Sequence, residues 1–184
     1  MSLNIVLLEP EIPQNTGNIG RTCVATGTRL HLIEPMGFQV SDKWVRRAGL
    51  DYWDKLDVMV YDSYPDFLYK NFGVVSGSKD SGQVGLAAPE QPSVDLYFAT
   101  TKARHVYSDI VYQDDCYIMF GKESAGIPEE ILVEHPDRCI RIPMWGDIRS
   151  LNLSNSVAIV TYEVMRQWGF DGLNTKGELH RLRW

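Results

Sequence analysis

Three short segments concentrate the polar and glycine residues that could do chemistry. Asn15-Thr16-Gly17-Asn18-Ile19-Gly20-Arg21 sets amides and a hydroxyl beside a single guanidinium. Phe120-Gly121-Lys122-Glu123-Ser124-Ala125-Gly126-Ile127 places an ammonium, a carboxylate and a hydroxyl between two glycines. Ile142-Pro143-Met144 leads to Arg149-Ser150-Leu151-Asn152-Leu153-Ser154-Asn155-Ser156, a dense Ser/Asn run behind an arginine. Taken singly, Asn15 and Ser154 read as helix caps and the glycines as backbone requirements. Three such clusters, with Arg21 and Glu123 among them, exceed what capping needs.

The elements around them explain their placement. Leu3 to Leu8 (LNIVLL) is a nearly continuous apolar run ended by Glu9-Pro10, as expected of a strand buried on both faces. A helix follows, with Asn15 and Thr16 as candidate caps, Ile19, Thr22, Cys23 and Thr26 on one face, and Gly27 at its end. Leu30 to Ile33 and Asp57 to Tyr61 read as strands, separated by a short helix over Lys43 to Ala48. Pro65 to Tyr69 reads as a helix, Asp95 to Thr100 and Tyr117 to Phe120 as strands, Pro128 to Val133 as a short helix and Cys139 to Ile142 as a strand. Leu153, Val157, Val160, Val164 and Trp168 follow helical spacing up to Gly169. The alternation predicts an α/β fold, a mostly parallel sheet with helices on both faces. Each of the three clusters then falls where a strand ends.

Several chemistries lack their signatures. No G-x-G-x-x-G follows the first strand, Gly121-Lys122-Glu123-Ser124 has neither the earlier glycine nor the hydroxyl residue of a P-loop, and there is no G-x-S-x-G or H-E-x-x-H. His31, His105, His135 and His180 are far apart and read as surface or satisfied core residues. Cys23, Cys116 and Cys139 form no C-x-x-C pair and read as small buried residues, so neither a disulfide framework nor a metal site is expected. No apolar stretch is long enough to span a membrane and no signal peptide is evident, so a cytoplasmic location is expected.

The 184 residues carry 18 Lys and Arg against 24 Asp and Glu, a net charge of −6 that by itself argues against a nucleic-acid partner. The excess is local. Residues 51–115 hold 5 basic and 11 acidic side chains, whereas the two ends balance at 13 of each. A basic face built from the ends therefore remains open.

The three clusters resemble, in order, the three motifs of the SPOUT class of RNA methyltransferases, and within it the TrmL (YibK) family of tRNA (cytidine/uridine 34)-2′-O-methyltransferases. The stretches carrying the resemblance are NIVLLEPEIPQNTGNIGRTC (4–23), LHLIEPMGF (30–38), RRAGLDYWD (46–54), YIMFGKESAGIP (117–128) and RIPMWGDIRSLNLSNSVAIVTYE (141–163). It implies one domain over residues 1–172, with a loop or insertion at about 73–93 and a tail over 173–184. It also implies a C-terminal deep trefoil knot formed by about Tyr117 to Tyr162, a departure from the usual rule of un-knotted chains. S-adenosylmethionine, without a metal, would lie against Ala99, Thr100, Gly121, Ile142, Met144, Ser150 and Leu151, with the backbone at Gly121 close to the ligand and Ile142 and Leu151 forming an adenine slot.

The implied reaction is transfer of a methyl group to the ribose 2′-oxygen of the wobble nucleotide of tRNA, with leucine tRNAs the expected substrates. Another RNA, such as ribosomal RNA, or a non-catalytic knotted RNA-binding module are the alternatives. The family's base maps onto Arg21. A guanidinium stays protonated at neutral pH, so the resemblance is better read as Arg21 binding the phosphate and developing oxyanion beside the target ribose, with Asn18 helping to place it and Glu123, Ser150 and Asn152 orienting Arg21 and the nucleotide. RNA contacts are expected from Arg21, Lys43, Arg46, Arg47, Arg141 and Arg149, engaging an anticodon stem-loop through a homodimer. Met165 and Trp168 belong either to that dimer interface or to the core.

Overall fold

The computed structural model describes residues 1–38, 52–74 and 95–183. The helix expected at 43–48, with Lys43, Arg46 and Arg47, and nearly all of the 73–93 stretch lie outside the described residues.

Among the described residues, seven strands form one sheet: β1 (Leu3–Leu8), β2 (Arg29–Ile33), β3 (Val58–Tyr61), β4 (Leu96–Ala99), β5 (His105–Val106), β6 (Cys116–Phe120) and β7 (Cys139–Arg141). Their order is β3-β2-β1-β6-β4-β7-β5, and each neighbouring pair is parallel. All six residues of β1 are buried, which accounts for its apolar run, interrupted only by Asn4. Among the described residues, four α-helices pack around the sheet: α1 (Pro13–Thr26), α2 (Tyr64–Phe72), α3 (Glu129–Leu132) and α4 (Leu153–Gln167). The two-residue edge strand β5 has no signal in the sequence, because two residues are too few to show a period.

The pleat divides the core into two layers. Ile5 and Leu7 of β1 join Ile19 and Cys23 of α1 and Val157, Val160, Val164 and Met165 of α4 in one cluster. Val6 and Leu8 face the other way, toward Phe67 of α2 and Leu132 of α3. Met165 is 6% exposed and Trp168 packs against the first cluster while its indole N–H donates to the Tyr112 carbonyl at 3.1 Å. Within the chain Met165 belongs to the core, and Trp168 packs half-buried against it.

Helix ends follow local chemistry in places. α1 stops at Gly27, whose φ of 66° is the left-handed conformation that glycine adopts at little cost. The Ser63 side chain accepts from the Asp66 N–H to open α2. Among the described residues, no helix is long and apolar enough to cross a membrane. All three cysteines are buried, and burial pushes the Cys23 and Cys116 thiols up to about 12, far from a reactive thiolate.

His31 is a fully buried core histidine with both ring nitrogens engaged. Its Nε2–H donates to Asn4 Oδ1 at 3.1 Å, since the Asn4 amide NH₂ is directed at the Cys116 carbonyl, and its Nδ1 then accepts from the Tyr61 hydroxyl at 2.8 Å. Burial lowers its pKa from 6.5 to about 4, with Arg29 adding to the effect, so the fold holds the neutral ring. The unfolded chain takes up that proton at higher pH than the folded one. The associated stability is therefore complete above pH 6.5 and drains away as the pH falls toward 4, a loss of about 2–3 kcal/mol by pH 4.5. Urea unfolding of wild type and His31→Gln at pH 7.5 and 4.5 should show the wild-type advantage shrinking by that amount. An advantage that stays constant with pH would remove His31 from the acid response.

Candidate active site at the C-terminal edge of the sheet

The chain turns sharply where β1 ends. Glu9 takes a left-handed backbone (φ 52°), uncommon for a residue other than glycine, and its N–H donates to the Ile33 carbonyl at 2.9 Å. The Glu9 carboxylate receives Lys122 Nζ at 2.7 Å from the loop after β6, the strand that lies beside β1. That pairing raises the Lys122 pKa and places this lysine in a contact within the protein.

α1 begins without a cap of its own. Ile12 occupies the cap position, no local side chain accepts there, and Pro13 follows at the first helical turn. Asn15 and Thr16, the expected caps, are buried inside the helix instead. The missing acceptor comes from the far side of the sequence: Glu123 Oε2 accepts from the Glu11 N–H at 2.9 Å, and Oε1 accepts from the Ile12 N–H at 3.3 Å. The carboxylate end of a capping box is thus supplied by another strand's loop, close to the positive end of the helix dipole. Glu11 reciprocates, accepting from the Ser124 N–H at 2.9 Å and hydroxyl at 2.8 Å. Those two bonds, the hydroxyl first, hold its carboxyl below the ordinary value.

The third segment joins through amides. Asn15 Nδ2 donates to Glu123 Oε1 at 2.8 Å, and Asn152 Nδ2 donates to Asn15 Oδ1 at 3.0 Å. Asn152 Oδ1 accepts from the N–H groups of Ser154 at 2.9 Å and Asn155 at 3.3 Å, capping α4. Glu123 and Asn152 therefore hold the starts of α1 and α4 in place. Ser154 sits in the first turn, and its hydroxyl donates to the cap residue at 2.7 Å.

Above these contacts opens a cavity of about 860 Å³ at the C-terminal ends of β4, β6 and β7. Ala99, Thr100, Gly121, Ile142, Met144, Ser150 and Leu151 all line it, as do Glu123, Asn152, Arg141 and Arg149. Its size, and its mixture of aliphatic side chains with a few hydroxyls and amides, suit a nucleoside-sized ligand. The need for glycine at 121 has a different origin from the expected approach of a ligand. A Cβ there would lie 2.1 Å from the Gly126 carbonyl carbon and 2.2 Å from the Ile127 nitrogen, so the glycine lets the loop fold back on itself.

Asn18 and Arg21 are exposed on α1 and are not among the residues lining the cavity. The Arg21 guanidinium lies over the Tyr52 ring, 4.5 Å from its centroid, and the Tyr52 hydroxyl donates to the Gly17 carbonyl. Tyr52 carried no role in the sequence reading, where RRAGLDYWD drew notice for its arginines. A tyrosine in that stretch gives no sign of its partner until the fold is known.

The SpoU rRNA Methylase family matches residues 2–77 and 83–162. The chain belongs to that family. It is 46% identical over 171 residues to the tRNA (cytidine(34)-2′-O)-methyltransferase of Photorhabdus asymbiotica, a match covering 92% of this chain and 96% of that protein. A protein from Bacillus anthracis with a solved crystal structure shares the fold at TM-score 0.80 and 40% identity, covering 96% of this chain and all of that one. A second solved structure, described as giving structural insights into the 2-OH methylation of C/U34 on tRNA, aligns at TM-score 0.75 and 36% identity over 92% of this chain and 97% of the other. In the SpoU fold seen here, the sheet's C-terminal edge is where the three clusters meet.

Two substitutions probe this assembly. Glu123→Ala leaves two backbone donors and the Asn15 amide without their acceptor, and is expected to cost about 1–2 kcal/mol in urea unfolding. Gly121→Ala forces the loop apart and is expected to cost about 1–3 kcal/mol. Unchanged midpoints for both would show that the three segments are held together by other contacts.

Proposed function

We propose that the protein is an S-adenosylmethionine-dependent RNA methyltransferase that modifies the ribose 2′-oxygen of the wobble nucleotide, position 34, of tRNA, with leucine tRNAs as the preferred substrates. The observation that carries this reading is the convergence of all three segments on one nucleoside-sized cavity, in a chain 46% identical to a relative named for that reaction. The chain from about Tyr117 to Tyr162 is proposed to be threaded as the family's knot.

The residues present fit the cofactor: Ala99, Ile142 and Leu151 offer apolar surface for a purine, and Thr100 and Ser150 offer hydroxyls for a ribose. When bound, S-adenosylmethionine supplies an electrophilic methyl group. The chain's task is then positioning and electrostatics. It must hold the ribose hydroxyl within roughly 3–3.5 Å of the methyl carbon and stabilise the charge that develops on oxygen. Arg21 suits the second role because it remains a cation throughout. Arg141 and Arg149 on the cavity wall suit RNA phosphates.

Arg21 reaches a cavity most simply in a homodimer. Along α1, Arg21 lies six residues beyond the cavity-lining Asn15, about 9 Å further along the axis and turned roughly 120° away. On the neighbouring helix α4, Ile159 and Tyr162 are exposed apolar side chains suited to packing against a second copy. In such a dimer each protomer's Arg21 would serve its partner's cavity.

Incubation with labelled cofactor and total tRNA, followed by nucleoside mapping, tests the substrate. Label at a 2′-O-methylated nucleoside of position 34 is expected, and label confined to ribosomal RNA would overturn the tRNA reading. Arg21→Ala is expected to lower kcat/KM by about 100-fold or more. A heterodimer of Arg21→Ala with Asn152→Ala should recover near half of wild-type activity, since one cavity then meets an intact partner arginine. No recovery would place Arg21 and its cavity in the same protomer.

A further inference from the structure

The outer wall of the cavity is the segment from Ile142 to Leu151, and at its crest stands Trp145. Its side chain is 94% exposed, more than that of any other large apolar residue among those described. Met144 before it and Arg149, Ser150 and Leu151 after it all line the cavity, so Trp145 belongs to the segment that walls the cavity without itself being among the lining residues. Gly146 follows it with φ 63°, a left-handed turn that side-chain-bearing residues rarely adopt. The backbone thus has a built-in reversal next to the exposed ring.

We propose that Trp145 is a stacking platform for a nucleobase of the RNA substrate, at or next to the nucleotide whose ribose enters the cavity. The inference rests on the RNA methyltransferase reading above and adds to it the element that grips the base. A 2′-hydroxyl can reach the interior only if its nucleotide is lifted out of the neighbouring stack, and the exposed base then needs a new π surface. An indole face accepts any base, and the exposed Arg149 and half-buried Arg141 on the same wall provide cations for the adjoining phosphates. A protein partner fits less well. Ile148 is also exposed, but it lies between Asp147 and Arg149, so the apolar surface along this loop is broken by charge.

The full-length chain carrying Trp145→Ala or Trp145→Phe would be compared with wild type, using an anticodon stem-loop oligonucleotide and saturating S-adenosylmethionine. Trp145→Ala should raise both KM and the directly measured Kd for RNA about tenfold. Its kcat should stay within about twofold, and its thermal stabilisation by the cofactor should be unchanged. Trp145→Phe should restore most of the RNA affinity. RNA should quench tryptophan fluorescence more in wild type than in Trp145→Phe, a readout independent of methyl transfer. An unchanged Kd in Trp145→Ala, or equal quenching in wild type and Trp145→Phe, would overturn the platform while leaving the methyltransferase reading intact. Loss of dimer mass in Trp145→Ala by light scattering would also overturn it, assigning the indole to a protein interface. If wild type methylates no RNA, the function proposal fails separately, and quenching and Kd still decide whether the indole binds RNA.

Discussion

The Glu123 carboxylate on the open end of α1 is the contact from which the geometry of the site follows. A helix start leaves backbone N–H groups without partners, and the local segment Glu11-Ile12-Pro13 offers no acceptor for them at the cap. The acceptor lies 112 residues away from Glu11 in the chain, on the loop after β6. α1 can therefore be properly ended only when β6 has paired with β1 and brought that loop alongside. Asn15 passes the same constraint to Asn152, 137 residues on, and Asn152 starts α4. Two helix ends and two strand ends are tied into one polar relay, centred on the buried Asn15 and the half-buried Glu123, which would lose their partners without the others. The relay forms only once these distant segments have come together, so it belongs to the assembled fold and not to any one of them.

The same contacts change the meaning of the acidic composition. Glu9 is paired with Lys122, Glu11 is engaged by the Ser124 N–H and hydroxyl, and Glu123 faces backbone N–H groups at the positive end of α1. Three of the acids nearest the site are thus compensated within the protein, and Asp95 is likewise taken up by Arg138 at 2.7 Å. Arg141 and Arg149 are left to shape the potential on the cavity wall. A net charge of −6 is then compatible with a local attraction for phosphate, because clefts respond to their own lining more than to the total.

Where the sequence was legible, the signal was periodic and long. The span of β1 was read boundary for boundary from LNIVLL, and α4 from the Leu153, Val157, Val160, Val164 spacing, because burial on defined faces writes itself into residue type. The start of α1 was not legible. Asn15 and Thr16 are good caps by type, and nothing local reveals that a distant carboxylate takes the role. Gly121 was read as a place for a ligand to approach, whereas its crowding comes from Gly126 and Ile127, a contact set by loop curvature. Tyr52 was invisible for the same reason. Residue type signals burial and chemistry, but the partner in a contact is a property of the fold.

The seat of Arg21 shows how packing can order an exposed arginine. A methyl group added at Gly20 would come within 3.1 Å of Leu56 and 3.3 Å of Trp53, so the short helical turn at Trp53–Lys55 packs closely against α1 at that glycine. The close approach brings the nearly buried Tyr52 ring beneath the next residue, Arg21, and the Tyr52 hydroxyl is anchored on the Gly17 carbonyl one turn earlier. A free arginine surrenders up to about 2 kcal/mol of rotamer entropy when a ligand fixes it. Stacking on a ring that is itself held at both edges removes part of that cost before any substrate arrives. The guanidinium is thereby kept in a defined direction by Tyr52, on a face of α1 that does not line the cavity, so its order is set by this packing and not by contacts inside the site.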